Sequence, residues 1–204
     1  MSGVGSLTLV DGDQVSLPDL NRQGLFSEAD IGRVKVEAAK DRLLQLNSEV
    51  GVVSVPAYLS ENNYRSILAD HDVVIDGTDA LTPRLLMNGM TVQAGIPTVF
   101  GGAVGWTGYV ATCVPSGPCF RCIWPIESLI EETCSTNGIF GPVVGQIGAA
   151  QASEAIRIIL GIPKFVGRML LINEQYGTHR ILEVNKKPNC LACGRSIDHQ
   201  ISSS

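Results

Sequence analysis

Four of the six cysteines stand in two pairs of equal spacing, Cys119-Phe120-Arg121-Cys122 and Cys190-Leu191-Ala192-Cys193. A Cys-x-x-Cys turn aims two thiolates at one cation, and two such turns complete the tetrahedron that zinc prefers. Gly194, directly after the second turn, suits the φ > 0 conformation that a tight metal knuckle often needs. The 67 residues between the pairs (123–189) exceed a zinc-ribbon spacer. The fold must therefore carry the C-terminal segment back onto the middle of the chain. A structural four-cysteine zinc site is expected; the competing reading is disulfides or unpaired thiols.

A second set of residues suits nucleotide chemistry. In doubly wound sheets, ligands bind outside the carboxyl ends of the strands. Asp11 and Asp13 directly follow the β-rich run Ser6-Leu7-Thr8-Leu9-Val10, where a carboxylate can bond ribose hydroxyls. Asp76-Gly77-Thr78-Asp79 follows another such run, which puts Asp79 where a carboxylate can hold magnesium on phosphates. Between them lie Arg22 and, 13 residues on, Lys35, two cations suited to a triphosphate. Taken singly, the cations also read as solvated surface charges and the aspartates as helix caps. Gly101-Gly102 reads as a simple turn rather than a phosphate loop.

The elements that must position these groups follow from the bulk numbers and the periodicity. A chain of 204 residues suits one domain with a sizeable core. Its 45% hydrophobic and 17% charged content is that of a globular protein, and a net charge of -5 argues against a nucleic-acid footprint. No apolar run is long enough to span a bilayer. Met1 to Leu9 lacks the basic and apolar regions of a signal peptide, so a cytoplasmic location with reduced thiols is expected. Residues 28–46 repeat apolar groups at helical spacing (Ile31, Val34, Ala38, Leu43, Leu46) behind Ser27 as N-cap. Strands are expected at 50–55, 72–76 and 97–100, and helices at 61–69 and 84–94. This alternation indicates a mostly parallel sheet covered by helices. Beyond it, 107–115 alternates like an antiparallel strand and 116–142 is irregular. A helix follows at 143–160, with two strands near 168–173 and 179–184. Cys113, inside an alternating strand, reads as a small packed hydrophobe.

The ordered segments Leu9-Val10-Asp11-Gly12-Asp13, Asp19-Leu20-Asn21-Arg22-Gln23, Gly32-Arg33-Val34-Lys35 and Asp76-Gly77-Thr78-Asp79 resemble successive motifs of the ThiF/MoeB family. That family is the bacterial branch of the E1-like activating enzymes. The resemblance continues through Cys119–Cys122, Thr133-Cys134, Gly141-Pro142-Val143-Val144-Gly145 and Cys190–Cys193, across almost the whole chain. It implies an α/β, Rossmann-like fold with helices on both faces of a mostly parallel sheet, C-terminal antiparallel strands and a four-cysteine zinc site. Asp11 and Asp13 would lie at the ribose, with Asp11 holding it. Arg22, Gln23 and Lys35 would contact the phosphates and help position the attacking carboxylate, Asn21 would belong to the same cofactor site, and Asp79 would coordinate Mg2+. Cys119, Cys122, Cys190 and Cys193 would bind Zn2+, and Cys134 matches a mobile-loop cysteine that can link covalently to the carrier protein; its competing reading is a free thiol. Cys122-Ile123-Trp124-Pro125 looks more like the thiamine-pathway member than the molybdopterin member.

Three departures stand out. The family has asparagine where this chain has Asp19, and again after the magnesium aspartate, where this chain has Ala80. Its first strand and glycine-rich loop have no counterpart before Gly3-Val4-Gly5, and neither has an N-terminal arginine that reaches the partner subunit's nucleotide. A single domain over 1–204, N-terminally truncated and without a rhodanese domain, is the expected organisation. The implied activity is ATP-dependent adenylylation of the C-terminal carboxylate of a small ubiquitin-like sulfur-carrier protein, by a homodimer served by a separate sulfur donor protein. Two other classes compete. One is a non-catalytic, zinc-stapled module that binds the carrier or dimerises. The other is a Rossmann oxidoreductase, which lacks its diagnostic Gly-x-Gly-x-x-Gly.

Overall fold

A computed structural model describes residues 3–124 and 138–194. The first strand, β1 (Ser6–Val10), pairs in parallel with β2 (Gly51–Val55), in register from Ser6–Gly51 to Val10–Val55. Parallel neighbours need a crossover, supplied here by helix α1 (Lys35–Leu46), which packs through Val36, Ala38 and Ala39. The apolar period at 28–46 does not give one continuous helix. Ser27 instead starts a single 3-10 turn, Glu28–Asp30, by donating its N–H and its hydroxyl to the Asp30 carboxylate. Gly32 then takes φ +85°, and its N–H donates to Val15 O, so the chain bends sharply before α1 begins. The 61–69 helix is likewise shorter, α2 (Tyr64–Leu68), because Asn63 Oδ1 accepts Ser60 N–H and closes a turn ahead of it.

A second sheet runs in the order β3 (Val74–Asp76), β4 (Thr98–Val104), β5 (Thr107–Cys113), β6 (Arg168–Asn173), β7 (Thr178–Glu183). β3 and β4 are parallel and joined by α3 (Leu81–Ala94); the other three pairings are antiparallel. Among the described residues of 116–142, expected to be irregular, a short helix forms, α4 (Phe120–Ile123), and α5 (Gly141–Ile159) begins two residues before the expected 143. The alternation of β4 shows the layering. Val99 packs with Val110, Val143 and Ile147 against α5, while Phe100 packs with Cys113 and Phe120 on the α3–α4 side. Both faces of this sheet are therefore covered, as the α/β reading requires. Cys113 is part of that second layer, 4% exposed.

The expected turn at Gly101-Gly102 is interior strand in β4, and each glycine makes room for a polar side chain, buried at Gly101 and half-buried at Gly102. An added Cβ at Gly101 would lie 2.4–2.6 Å from Gln151 of α5, and one at Gly102 would lie 2.6 Å from Tyr109 and 2.9 Å from Arg84. Gln151 Nε2 donates to Asp76 O (2.8 Å) and Val99 O (3.1 Å), fastening α5 to the ends of β3 and β4. Gly101→Ala should displace that amide and cost about 2 kcal/mol, or roughly 4–8 °C in Tm for a chain of this size. Gly148→Ala on the open side of α5 should be neutral or stabilising. Thermal melts of the two variants distinguish a packing requirement from a generic glycine effect.

The two sheets are separate. β1 and β3 each have one edge without a strand partner among the described residues. His71, between α2 and β3, reaches β1: one ring nitrogen lies at Ala69 O (2.8 Å) and the other at Thr8 Oγ1 (2.9 Å).

Candidate functional site

The expected nucleotide residues after β1 form one connected polar ring. Asp11 Oδ1 accepts the N–H of Asp13 (2.8 Å), which shapes the turn that leaves β1. Asp13 in turn accepts Lys35 Nζ (3.1 Å) and the hydroxyl of Tyr58. Lys35 also lies 3.8 Å from Asp19, whose other oxygen takes Arg22 Nη2 (3.4 Å) and Gln23 Nε2 (3.3 Å). Local structure delivers these groups. The 3-10 turn Leu17–Asn21 starts when Asp19 accepts both the N–H (2.9 Å) and the hydroxyl (2.7 Å) of Ser16, and Lys35 is the first residue of α1. Arg22 also donates to Pro18 O (2.9 Å) and Asn21 Oδ1 (3.2 Å). Gly141, at the start of α5, sits against this turn, where a Cβ would come within 2.6 Å of Asn21 O.

The electrostatics of the ring keep both acids ionised. The Tyr58 hydroxyl, then Lys35, hold Asp13 below the usual carboxylate range. Burial alone would raise Asp19, but the two Ser16 hydrogen bonds and the charges of Lys35 and Arg22 outweigh it and lower the carboxyl. The same contact with Asp13 pushes the Tyr58 phenol up.

Asp79 leaves the end of β3 in a turn that is itself fixed. Asp76 Oδ1 accepts both Thr78 N–H (3.1 Å) and Thr78 Oγ1–H (2.7 Å). Arg84, one turn into α3, reaches back to Thr78 O, to Gly101 O (2.9 Å) and to the Tyr109 hydroxyl (2.7 Å), with Nε 3.3 Å from Asp76. Asp76 is fully buried, and desolvation raises its pKa despite the Arg84 charge. Asp79 itself is exposed, with no hydrogen bond or ion pair among the described residues, so its carboxylate is available to a cation. Contacts along α5 relate this turn to the ring: Gly141 abuts Asn21, and Gln151, ten residues on, bonds Asp76 O. The axial rise between those contacts is about 15 Å.

The fold also brings the four cysteines together, with all Sγ atoms within 4.8 Å of one another. Cys119–Cys190 and Cys122–Cys193 are each 3.5 Å apart. A tetrahedral zinc with bonds of about 2.3 Å sets its sulfurs about 3.8 Å apart, so the donor set and size fit that ion. Asn88 of α3 pins this corner by accepting the N–H of Phe120 (2.8 Å), and Lys187 N–H points at Cys122 Sγ (3.4 Å). The turn after Cys190 is tight: a Cβ at Gly194 would fall 2.4 Å from Cys190 N and Pro188 O. Among the thiols, burial and its sulfur neighbours push Cys119 up. At Cys190 burial is outweighed by the N–H groups of Cys193 and Ala192, which bring the thiol down to about 7. Cys134, the remaining expected site residue, lies outside the described residues.

Two contributors had no clear motif. Tyr58 is 67% exposed, with its ring against Gly12 and its hydroxyl on Asp13, and nothing in its sequence surroundings marks it. Arg84 had a weak signal, a cation among the apolar Leu85, Leu86 and Met87 of a helix that follows a strand-end acid.

Known proteins resemble this chain in sequence and fold. The sequence matches the ThiF family over residues 1–192. It is 36% identical over 197 residues to the sulfur carrier protein ThiS adenylyltransferase of Escherichia coli, covering 96% of this chain and 78% of that protein. Against the molybdopterin-synthase adenylyltransferase of Escherichia coli it is 34% identical over 197 residues, covering 95% and 79%. Among solved structures, E. coli MccB with ATP superposes with a TM-score of 0.78 at 27% identity, over 94% of this chain. The chain spans 60% of that MccB chain. The named relatives are adenylyltransferases, and the matched length and shared fold show that this chain belongs to the ThiF family.

Proposed function

We propose that the protein adenylylates the C-terminal carboxylate of a small ubiquitin-like sulfur-carrier protein at the expense of ATP. The observation that supports this most is the ring of Asp11, Asp13, Asp19, Arg22 and Lys35 beside one strand end, with the free carboxylate of Asp79 at another. A hydride-transfer enzyme has no use for two cations and a free metal-binding acid in that arrangement. A bare carrier-binding module needs neither.

In the reaction, a carrier carboxylate oxygen forms a bond to the α-phosphorus of ATP. The bond from that phosphorus to the bridging oxygen of pyrophosphate breaks, and the leaving group takes the electron pair. No general base is required, because a carboxylate is already ionised at neutral pH. The protein's contribution is placement and charge. Asp11 orients the ribose, while Arg22 and Lys35 neutralise the phosphates and the incoming carboxylate. Asn21 and Gln23 offer amides to the same oxygens. Asp79 fits the role of Mg2+ ligand, and that ion supplies charge neutralisation on the phosphates. The cysteine cluster fits Zn2+ as a structural tie.

The relatives named for ThiS and for molybdopterin synthase are almost equally similar, so the assignment stops at the carrier class. The test is ATP–pyrophosphate exchange with purified carriers of each type. Exchange that depends on a carrier with an intact C-terminal glycine carboxylate is the expected result. Exchange without any carrier, or none with either type, would overturn the assignment.

A further inference from the structure

The two cations of the ring are neutralised before any ligand arrives. Arg22 and Lys35 are matched by Asp13 and Asp19, and these two acids differ in their freedom to leave. The Asp13 side chain is 49% exposed. That of Asp19 is 9% exposed and held by two hydrogen bonds from Ser16, N–H and Oγ–H. It is also kept ionised, so it cannot retreat by taking up a proton. A polyphosphate that draws Arg22 and Lys35 to itself therefore approaches a fixed negative charge that remains in place.

We propose that Asp19 is an internal counter-anion for Arg22 and Lys35 that makes the site select metal-bound over metal-free polyphosphate. This rests on the reading of the ring as a nucleotide site. Repulsion from a fixed charge scales with the charge of the ligand, and metal-free ATP carries about two more negative charges than its magnesium complex. Asp19 thus penalises the metal-free form more. It acts through the two cations and by repulsion, and so sets selectivity rather than taking part in the reaction. In the ligand-free protein it also holds Arg22 and Lys35 where the phosphates will need them.

Asp19→Asn separates charge from shape, since the amide oxygen can still accept the Ser16 N–H. Calorimetric titrations compare wild type and variant with Mg·ATP, with ATP in buffer lacking magnesium, and with sodium tripolyphosphate. In the variant, metal-free ATP and tripolyphosphate should bind on the order of tenfold more tightly, and Mg·ATP only about threefold. Unchanged or weaker metal-free binding by a variant that melts like wild type would overturn the proposal. A measurement on wild type alone guards against a variant that folds poorly. Its preference for Mg·ATP should shrink as sodium chloride is raised, because salt screens the repulsion; a preference indifferent to salt also overturns it. If folded wild type binds neither form of ATP, the nucleotide reading fails and this proposal with it. Equal gains for all three ligands remove only the role of Asp19.

Discussion

Carrier-dependent ATP–pyrophosphate exchange should fall on the order of 100-fold when Arg22, Lys35 or Asp79 is replaced by alanine, each change removing one preorganised charge from the reacting phosphates. The three losses should differ in character. Lys35 begins α1 and contacts both Asp13 and Asp19, so its removal leaves two neighbouring carboxylates without that cation. Lys35→Ala should therefore weaken nucleotide binding as well as turnover. Asp79 has no protein partner among the described residues, so Asp79→Ala should leave the melting temperature unchanged and show its effect as a raised magnesium requirement. Cys134→Ala should leave exchange nearly intact while impairing any later sulfur transfer. Wild-type exchange rates in Asp79→Ala at a magnesium concentration that only half-saturates the wild type, or equal losses of exchange and transfer in Cys134→Ala, would count against the assigned roles.

The placement of these residues was legible to different degrees, for physical reasons. Strand-end acids and paired Cys-x-x-Cys turns are local signals, because a strand end and a knuckle each need only a few adjacent residues. Asp11, Asp13, Asp76 and the four cysteines fall where such signals placed them. Arg22 and Lys35 were recognisable as cations, but their joint attachment to Asp19 depends on Gly32 turning the chain so that α1 starts at Lys35. A helical period of apolar residues across 28–46 contains no measure of that bend. The β3–β4 latch shows the same limit. Arg84 and Gln151 lie 67 residues apart (151 minus 84), and both bond carbonyl oxygens of β4, Gly101 O and Val99 O respectively, which carry no sequence signature. Gly101 and Gly102 looked like a turn because glycine in a strand interior is unfavourable on its own. Their reason is the side chains that fill the space above each Cα, visible only once α3 and α5 are in place.

Zinc should accompany the purified protein at about one ion per chain, and Cys190→Ser should abolish it. The consequence for stability should be large. Residues 185–194 form neither helix nor strand, and the cysteines, with Lys187 N–H on Cys122 Sγ, are what join them to α4. Losing a metal tie of this kind belongs to the small class of substitutions costing about 4 kcal/mol or more, which for a chain of this length lowers Tm by roughly 10 °C. Cys113→Ser provides the contrast. Cys113 is buried against Phe100 and Phe120 rather than within the cluster, so that variant should lose some packing energy and retain its zinc. The pH dependence has a definite sign. Zinc binds thiolates, so protons compete with it, and affinity should fall as pH is lowered. Cys190, brought down to about 7, is readily available as thiolate near neutrality, whereas the upward-shifted Cys119 needs the ion to displace its proton. Metal analysis and melting curves from about pH 8 to about pH 5 should therefore show zinc loss and destabilisation together in wild type. In Cys190→Ser the component of that decline due to zinc should be absent. Protein prepared without chelators that contains no zinc, yet melts as cooperatively as a zinc-loaded sample, would rule out the metal tie.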